Sequence, residues 1–313
     1  MKKELKNQII SKLEDYLTLH KMSANVFCKK TGINANIMSS IRNGSETVNA
    51  GNGTTAVIAD KYFEIIAEFI GLEIEKSYWD IVPTLQLQRI LATLEDAKEF
   101  GYINPIIGET GCGKTIASNL FAKRHPNDCF VITVSSSDNI GDLMDKIIDS
   151  LKITTAKTKS KKLRAIVLHL RELKFSGYKP MLIFDEAEYM KQPALCSMKE
   201  LYDNLHTICS IILVGTNQLI NNLDKLRKKN KDGIPQLYRR IKFGIRFLPA
   251  IDKTFKQFLN TIEDKELVRF LCSICDNYGE LHDVLVPSMR EADRTGQKLT
   301  VNFVRTILNL PNL

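Results

Sequence analysis

The chain has 313 residues, 44% of them apolar, and carries a formal net charge of +8. This length predicts two or three domains, and this apolar content predicts a globular protein and excludes a disordered one. No run of 18 apolar residues is present, the basic start lacks an apolar stretch and the seven cysteines are scattered, so we expect a cytoplasmic protein with neither a membrane span nor a secretory signal.

The first 71 residues predict a small all-α domain. Apolar residues spaced by four predict a helix over residues 3–20. A short helix with Ser23 as its N-cap and a second one over Asn34–Asn43 are separated by a turn that contains Gly32. Such a pair is typical of the helix-turn-helix, although an ordinary helical hairpin has the same pattern. In a helix-turn-helix, the residues that face DNA would be Asn34, Asn36, Ser39, Ser40 and Arg42.

The rest of the chain changes character after a predicted linker. Residues 44–55 predict a loop, 56–70 a helix that closes the small domain, and 72–84 the linker. Helices and strands then alternate over residues 85–249, which predicts an α/β domain with a parallel sheet and right-handed crossovers. Only helical patterns follow, so residues 250–313 predict a helical C-terminal lid.

Residues 108–115 read Gly-Glu-Thr-Gly-Cys-Gly-Lys-Thr, the P-loop pattern G-x-x-x-x-G-K-[ST]. An apolar strand over Tyr102–Ile107 leads into it, and a helical segment over Thr115–Ala122 follows. Glycines let backbone amides approach phosphates at the positive end of that helix, while the lysine reaches the β- and γ-phosphates and the threonine hydroxyl binds Mg²⁺. The residues predicted to hold ATP are Gly108, Glu109, Thr110, Gly111, Cys112, Gly113, Lys114 and Thr115.

Two adjacent carboxylates follow a second apolar strand, Met181–Phe184. Charges at the end of a buried strand are costly unless they have a function, although an ordinary polar strand end would look the same. Asp185 fits the acid that holds Mg²⁺ beside the nucleotide, and Glu186 fits the base that orients a water on the γ-phosphate.

A third strand, Ile211–Val214, also ends in polar residues. Asn217 is the favoured residue for touching the γ-phosphate or the water, and Thr216 is the neighbour that could take this role. Turn chemistry alone also favours an asparagine here. The last strand of the sheet is predicted over Phe243–Leu248.

The basic excess lies in the middle of the chain, where residues 76–250 carry 27 Lys and Arg against 18 Asp and Glu. Basic runs are usually solvated faces, but two of them in one nucleotide-binding domain favour a polyanion such as double-stranded DNA. The residues predicted to contact DNA are Lys157, Lys159, Lys161, Lys162, Lys225, Arg227, Lys228 and Lys229.

The P-loop, the Phe184–Glu186 sequence and the Val214–Asn217 sequence, followed by a helical tail, resemble an AAA+ ATPase. With the N-terminal helices, the length and the basic middle, the whole chain resembles the MuB type, the target-selecting ATPases of Mu-like DNA transposition. The resemblance implies ATP-dependent assembly of many copies, as a helical filament or a ring, on double-stranded DNA with little sequence preference. It also implies recruitment and activation of a transposase of the DDE integrase type, and ATP hydrolysis that disassembles the complex.

The same resemblance implies an arginine that acts on the ATP of a neighbouring subunit. Arg239 and Arg240 stand at the corresponding place before the last strand, and Arg240 is favoured because it directly precedes Ile241. Many AAA+ ATPases also carry an arginine in the lid. Here His282 stands where that arginine is expected, and Arg290 is the alternative.

Two other functions fit the same motifs. A replication ATPase, such as a helicase loader or a plasmid initiator, would bind a helicase instead of a transposase. A regulatory module would use the bound nucleotide to set an interaction on DNA and would turn over slowly.

Overall fold

The computed structural model describes residues 3–51, 54–72, 78–154 and 158–310. The chain divides into two compact units, one within residues 1–77 and the other within residues 78–313. No helix of the described residues is long and apolar enough to cross a membrane.

The described residues of the first unit form four helices and two paired strands. Its elements in chain order are α1 (Lys3–Leu19), α2 (Ala24–Thr31), α3 (Ala35–Arg42), β1 (Thr47–Gly51), β2 (Thr54–Val57) and α4 (Asp60–Phe69). The Ser23 hydroxyl accepts a hydrogen bond from the Val26 amide at 3.4 Å, as its N-cap position predicts. Gly32 ends α2 in the left-handed conformation, with a φ of 73°. The apolar faces of the helices meet in one core, which includes Ile9, Leu13, Phe27, Met38 and Ile66.

The prediction that this unit is all-α is wrong, because Thr47–Gly51 and Thr54–Val57 pair as antiparallel strands. Thr47 lies opposite Val57, and Val48 lies opposite Ala56. Glycine, asparagine and threonine in this stretch predicted a loop. However, threonine and valine are β-branched, and their side chains favour extended backbone once two such runs can pair.

The second unit contains the parallel sheet and most of the helices. Its elements are α5 (Leu85–Phe100), β3 (Ile103–Ile107), α6 (Lys114–Arg124), β4 (Cys129–Thr133), α7 (Ile140–Leu151), α8 (Lys159–Phe175), β5 (Met181–Asp185), a 3₁₀ turn (Ala187–Tyr189), α9 (Gln192–Leu205), β6 (Ser210–Gly215), α10 (Asn217–Lys228), α11 (Ile234–Ile241), β7 (Arg246–Phe247), α12 (Lys256–Leu259), α13 (Lys265–Ile274), α14 (Tyr278–Thr295) and α15 (Val301–Ile307). The five strands are parallel and lie in the order β4-β5-β6-β3-β7. The predicted parallel sheet and helical C-terminal region are therefore confirmed.

The three central strands, β3, β5 and β6, are buried along their whole length, which explains their continuous apolar sequences. Successive side chains point to opposite faces of the sheet. Leu182 and Phe184 of β5 join the core formed with α7–α11, whereas Met181 and Ile183 join the core formed with α5 and α6. Because the strands are parallel, the loops that follow β3, β5 and β6 lie along one edge of the sheet.

The last strand is shorter than predicted. The prediction covered Phe243–Leu248, but only Arg246 and Phe247 pair with β3. The Gly244 amide still bonds the Ile241 carbonyl at 2.8 Å, so the turn that ends α11 takes up the first residues of the predicted strand.

Candidate nucleotide site

The P-loop joins the end of β3 to the start of α6, and its glycines occupy positions that other residues would not fit. Gly111 and Gly113 have φ values of 72° and 91°, which L-residues rarely adopt. A Cβ on Gly108 would lie 2.6 Å from Cδ1 of Leu248. The glycines therefore allow the loop both its backbone turns and its close packing.

Lys114 is the first residue of α6, and its ammonium folds back over the loop. Its Nζ donates to the carbonyl oxygens of Gly108 at 3.0 Å and Glu109 at 2.7 Å. No side chain of the described residues caps the N-terminus of α6, so its first amides remain available to an anion. Burial raises the pKa of the neighbouring Cys112 thiol, although Lys114 opposes the shift. The thiol therefore stays neutral and leaves Lys114 available for phosphate.

The two carboxylates after β5 have different environments. Asp185 is 1% exposed, and its Oδ1 accepts a hydrogen bond from the Glu186 amide at 3.0 Å. Its Oδ2 is buried and has no hydrogen-bond partner among the described residues. Glu186 is exposed and has a φ of 56°, a left-handed conformation that is costly for a side chain and is often found at functional sites.

A cavity of about 430 Å³ connects these residues and has two chemically distinct walls. One wall is polar and includes the P-loop from Thr110 onward, Asp185 and Glu186. The other is aromatic and contains Trp79 and Phe258, whose rings stack at a centroid distance of 4.6 Å. This size and polarity suit a nucleotide, with phosphates at one wall and a base at the other.

The aromatic wall has no counterpart among the residues predicted from the sequence. Trp79, Ile81 and Val82 fall in the stretch interpreted as a linker, yet they line the cavity. The ring of Tyr278 lies 5.2 Å from that of Phe258, and the Tyr278 hydroxyl donates to Oε1 of the buried Gln86 at 3.0 Å. The only tryptophan of the chain lies in this stretch, and a lone large aromatic residue in a supposed linker was the available signal.

The lid meets the P-loop at the start of α14. Asn277 caps this helix by accepting a hydrogen bond from the Glu280 amide at 2.9 Å, and the same side chain fills the space where a Cβ on Gly111 would lie. His282 lines the cavity, and its ring meets the Trp79 ring edge-on with a centroid distance of 5.2 Å. Its Nδ1 lies 3.0 Å from a carboxylate oxygen of Asp283. Of the two lid residues weighed from the sequence, the structure brings His282 and not Arg290 to the cavity.

The residues after β6 also differ in their placement. Thr216 lines the cavity, and its hydroxyl oxygen caps α10 by accepting a hydrogen bond from the Gln218 amide at 3.3 Å. Asn217 is exposed and does not line the cavity. Of these two residues, the structure therefore places Thr216 and not Asn217 at the cavity.

Arg239 and Arg240, at the end of α11, do not line this cavity. The Arg240 side chain is bound by residues of its own chain. Its guanidinium lies 2.6 Å from Oδ1 of Asp203 and donates to the Gln236 carbonyl at 3.2 Å. Arg239 is exposed and forms no ion pair with any residue that the structure describes.

The basic runs contain both paired and exposed residues. Lys162 lies 2.5 Å from Asp145, and Arg227 pairs with Asp224 at 3.1 Å. Lys157 lies outside the described residues. The exposed lysines of these runs are Lys159, Lys161, Lys225, Lys228 and Lys229.

The predicted DNA-facing residues of the first unit are likewise mixed. Arg42 forms a two-pronged ion pair with Glu14, at 2.5 and 2.8 Å. Asn34 caps α3 through the Asn36 amide at 2.8 Å. Asn34, Asn36 and Ser39 are exposed.

The side chains present fit a magnesium ion bound together with a nucleotide. The unpartnered Oδ2 of Asp185 is buried at the cavity, and Thr115 is the second residue of α6 and also lines it. Within the described ranges, no group of three or more His, Cys, Asp and Glu residues could hold a metal ion alone. Mg²⁺ usually binds with one or two protein ligands plus phosphate oxygens and water, which this arrangement would allow.

Comparison with known proteins agrees with this geometry. Residues 101–223 match the AAA domain family. Over 301 residues, the chain is 24% identical to the Mu-like prophage FluMu DNA transposition protein B of Haemophilus influenzae, and the match covers 93% of this chain and 97% of that protein.

Two solved structures share the fold. Cdc6p from Pyrobaculum aerophilum has a TM-score of 0.59 and 17% identity over 76% of this chain and 71% of its own. The Aeropyrum pernix ORC1 protein, solved in complex with DNA, has a TM-score of 0.54 and 14% identity over 74% of this chain and 66% of its own.

The chain has the fold of the class of AAA+ P-loop ATPases, with a match to the AAA domain family over residues 101–223. Within this class, the similarity to transposition protein B along nearly the whole of both chains confirms the resemblance to the MuB type.

Proposed function

We propose that this chain is a DNA-dependent ATPase of transposition. It assembles on double-stranded DNA in its ATP form, recruits and activates a transposase of the DDE integrase type, and leaves the DNA after hydrolysis. The observation that carries the proposal is the similarity to a transposition protein along nearly the whole chain, combined with an intact nucleotide cavity.

Different residues of the cavity serve nucleotide binding and hydrolysis. Lys114 and the amides at the start of α6 bind the phosphates, and the aromatic wall receives adenine. Thr115 and Asp185 would hold Mg²⁺, which when bound neutralises charge on the β- and γ-phosphates. Glu186 orients the attacking water and accepts its proton, and Thr216 or Asn217 contacts the γ-phosphate.

A second copy of the chain completes the site. Among the described residues, no arginine lines the cavity, so the charge that develops on the γ-phosphate lacks a guanidinium partner. An arginine from a neighbouring subunit would supply it and would make hydrolysis depend on assembly into a filament or a ring. Arg239 is the freer of the two candidates, because Arg240 already pairs with Asp203.

The exposed lysines of the two basic runs supply DNA contacts that do not depend on sequence. Contacts to phosphates release counterions, so the logarithm of affinity falls linearly with the logarithm of salt concentration. Neutralising Lys225, Lys228 and Lys229 should reduce this slope by about 0.9 for each of these lysines that binds a phosphate. An unchanged slope and affinity would make this run a solvated face.

The proposal is tested by comparing two variants on duplex DNA. Glu186→Gln should bind ATP, hydrolyse it very slowly and remain on DNA as assemblies visible by electron microscopy. Lys114→Ala should lose ATP binding and fail to assemble. Assembly that is the same with ATP, with ADP and in the Lys114→Ala variant would contradict an ATP-controlled DNA-binding function.

A further inference from the structure

Glu188 lies in the 3₁₀ turn directly after β5 and lines the nucleotide cavity. Its side chain is partly buried, and its Oε2 is fully buried without a hydrogen-bond partner among the described residues. Asp185, three residues earlier, lines the same cavity and also has one such oxygen. Within the described part of the chain, two buried carboxylate oxygens at one cavity therefore lack a donor.

The end of β6 leaves room for the Glu188 carboxylate. A Cβ on Gly215 would lie 2.6 Å from Oε2 of Glu188 and 3.5 Å from its backbone nitrogen. The Glu188 carbonyl also accepts a hydrogen bond from the Asn222 side chain at 3.3 Å, which ties the turn to α10. Because Gly215 has no side chain, the Glu188 carboxylate has space at the end of β6, one residue before Thr216.

This placement has an energetic cost unless a donor arrives. A buried polar atom without a partner is destabilising, and more so when it is charged. Hydrated Mg²⁺ carries water hydrogens that a nearby carboxylate can accept, and groups that hold a metal through such outer contacts usually tune its affinity.

We propose that Glu188 is a positioning residue that accepts a hydrogen bond from the water shell of the Mg²⁺ accompanying ATP. Asp185 at the end of β5 and Glu188 in the turn that follows would then both help to hold the hydrated ion. This inference rests on the proposed ATPase function, and it assigns Glu188 a role distinct from that of Glu186, which acts on the attacking water.

The test is a Mg²⁺ titration of nucleotide binding, followed with a fluorescent ATP analogue and then by turnover. Glu188→Gln keeps the size of the side chain but removes its charge. We expect it to raise the half-saturating Mg²⁺ concentration about 10- to 100-fold, the usual effect of removing an outer partner of a metal. Nucleotide affinity at saturating Mg²⁺ should return to the wild-type value, since the P-loop is unchanged. Glu172→Gln, which removes an exposed carboxylate of α8, is the matched control and should behave as wild type.

A second substitution separates positioning from packing. Gly215→Ala should raise the Mg²⁺ requirement in the same direction, because the new methyl group displaces the Glu188 carboxylate. Combining it with Glu188→Ala should add little further effect, because the displaced group is then absent. Thermal unfolding of each variant measures any structural damage separately.

The results also separate this inference from the proposed function. A wild-type Mg²⁺ requirement in Glu188→Gln would overturn the inference, and so would a loss of thermal stability with no change in that requirement. A wild-type protein that binds Mg²⁺ and ATP without hydrolysing it would contradict the ATPase but leave the Glu188 titration readable. A wild-type protein that binds no nucleotide would overturn both.

Discussion

Trp79 should contribute a large part of the affinity for adenine. It is the only tryptophan in the chain, it lines the cavity and its ring stacks on Phe258 with an interplanar angle of 18°. Stacking of a base on an aromatic side chain is worth about 1–3 kcal/mol by alanine substitution. Because about 1.4 kcal/mol corresponds to a tenfold change, Trp79→Ala should weaken ATP binding about 5- to 140-fold.

The assay compares ATP with inorganic tripolyphosphate by titration calorimetry. Tripolyphosphate has no base, so its affinity should be the same in wild type and Trp79→Ala. Trp79→Phe keeps an aromatic ring and should lose less ATP affinity than Trp79→Ala, while Phe175→Ala, whose ring is 89% exposed, should lose none. In the wild-type protein, ATP should change the fluorescence of the lone tryptophan. Equal losses for ATP and tripolyphosphate, or no loss for either, would refute an adenine wall at Trp79.

Arg239→Ala should keep ATP binding but lower DNA-stimulated turnover about 10³-fold, and Arg240→Ala should lower turnover less. Steady-state phosphate release measures both effects, and a larger loss in Arg240→Ala would assign the catalytic arginine to Arg240. The hydrogen bond from the Arg42 guanidinium holds the pKa of Glu14 below its usual value of 4.5. The pair therefore stabilises the first unit above about pH 4.5, and this stabilisation is lost as the pH falls through the lower pKa of the folded state. Arg42→Ala should therefore lose less stability than wild type when urea unfolding is compared between about pH 6 and about pH 3, and equal losses would contradict the linkage. Gly111→Ala places a side chain at a φ of 72° and against the lid, so its free energy of unfolding should fall by at least about 1–2 kcal/mol, and a wild-type unfolding temperature would contradict the packing.

The central sheet and the P-loop could be predicted because their signals are local. A P-loop needs glycines and a lysine at fixed spacing, and the buried strand Met181–Asp185 is read directly from its apolar run. The last strand is shorter than predicted, because the first residues of the predicted strand belong to the turn that ends α11. In that turn the Gly244 amide bonds the Ile241 carbonyl, a contact that depends on the preceding helix.

The aromatic wall of the cavity could not be predicted, because it forms only in the folded chain. Trp79 meets Phe258 and His282 across about 180 to 200 residues of sequence, and no local pattern indicates such a contact. Ion pairs that form only in the fold were also not predictable from the sequence. Arg240 and Arg42 look free in the sequence, but each has a carboxylate partner in the fold.

The most direct test of the account is the rate of ATP hydrolysis by the purified chain, measured with and without duplex DNA and with Lys114→Ala as the background. We expect wild-type hydrolysis that rises when DNA is added and that is lost in Lys114→Ala, because the P-loop lysine binds the phosphates and DNA assembles the subunits that complete each site. A wild-type rate equal to that of Lys114→Ala, both with and without DNA, would contradict the proposal that this chain is a DNA-dependent ATPase.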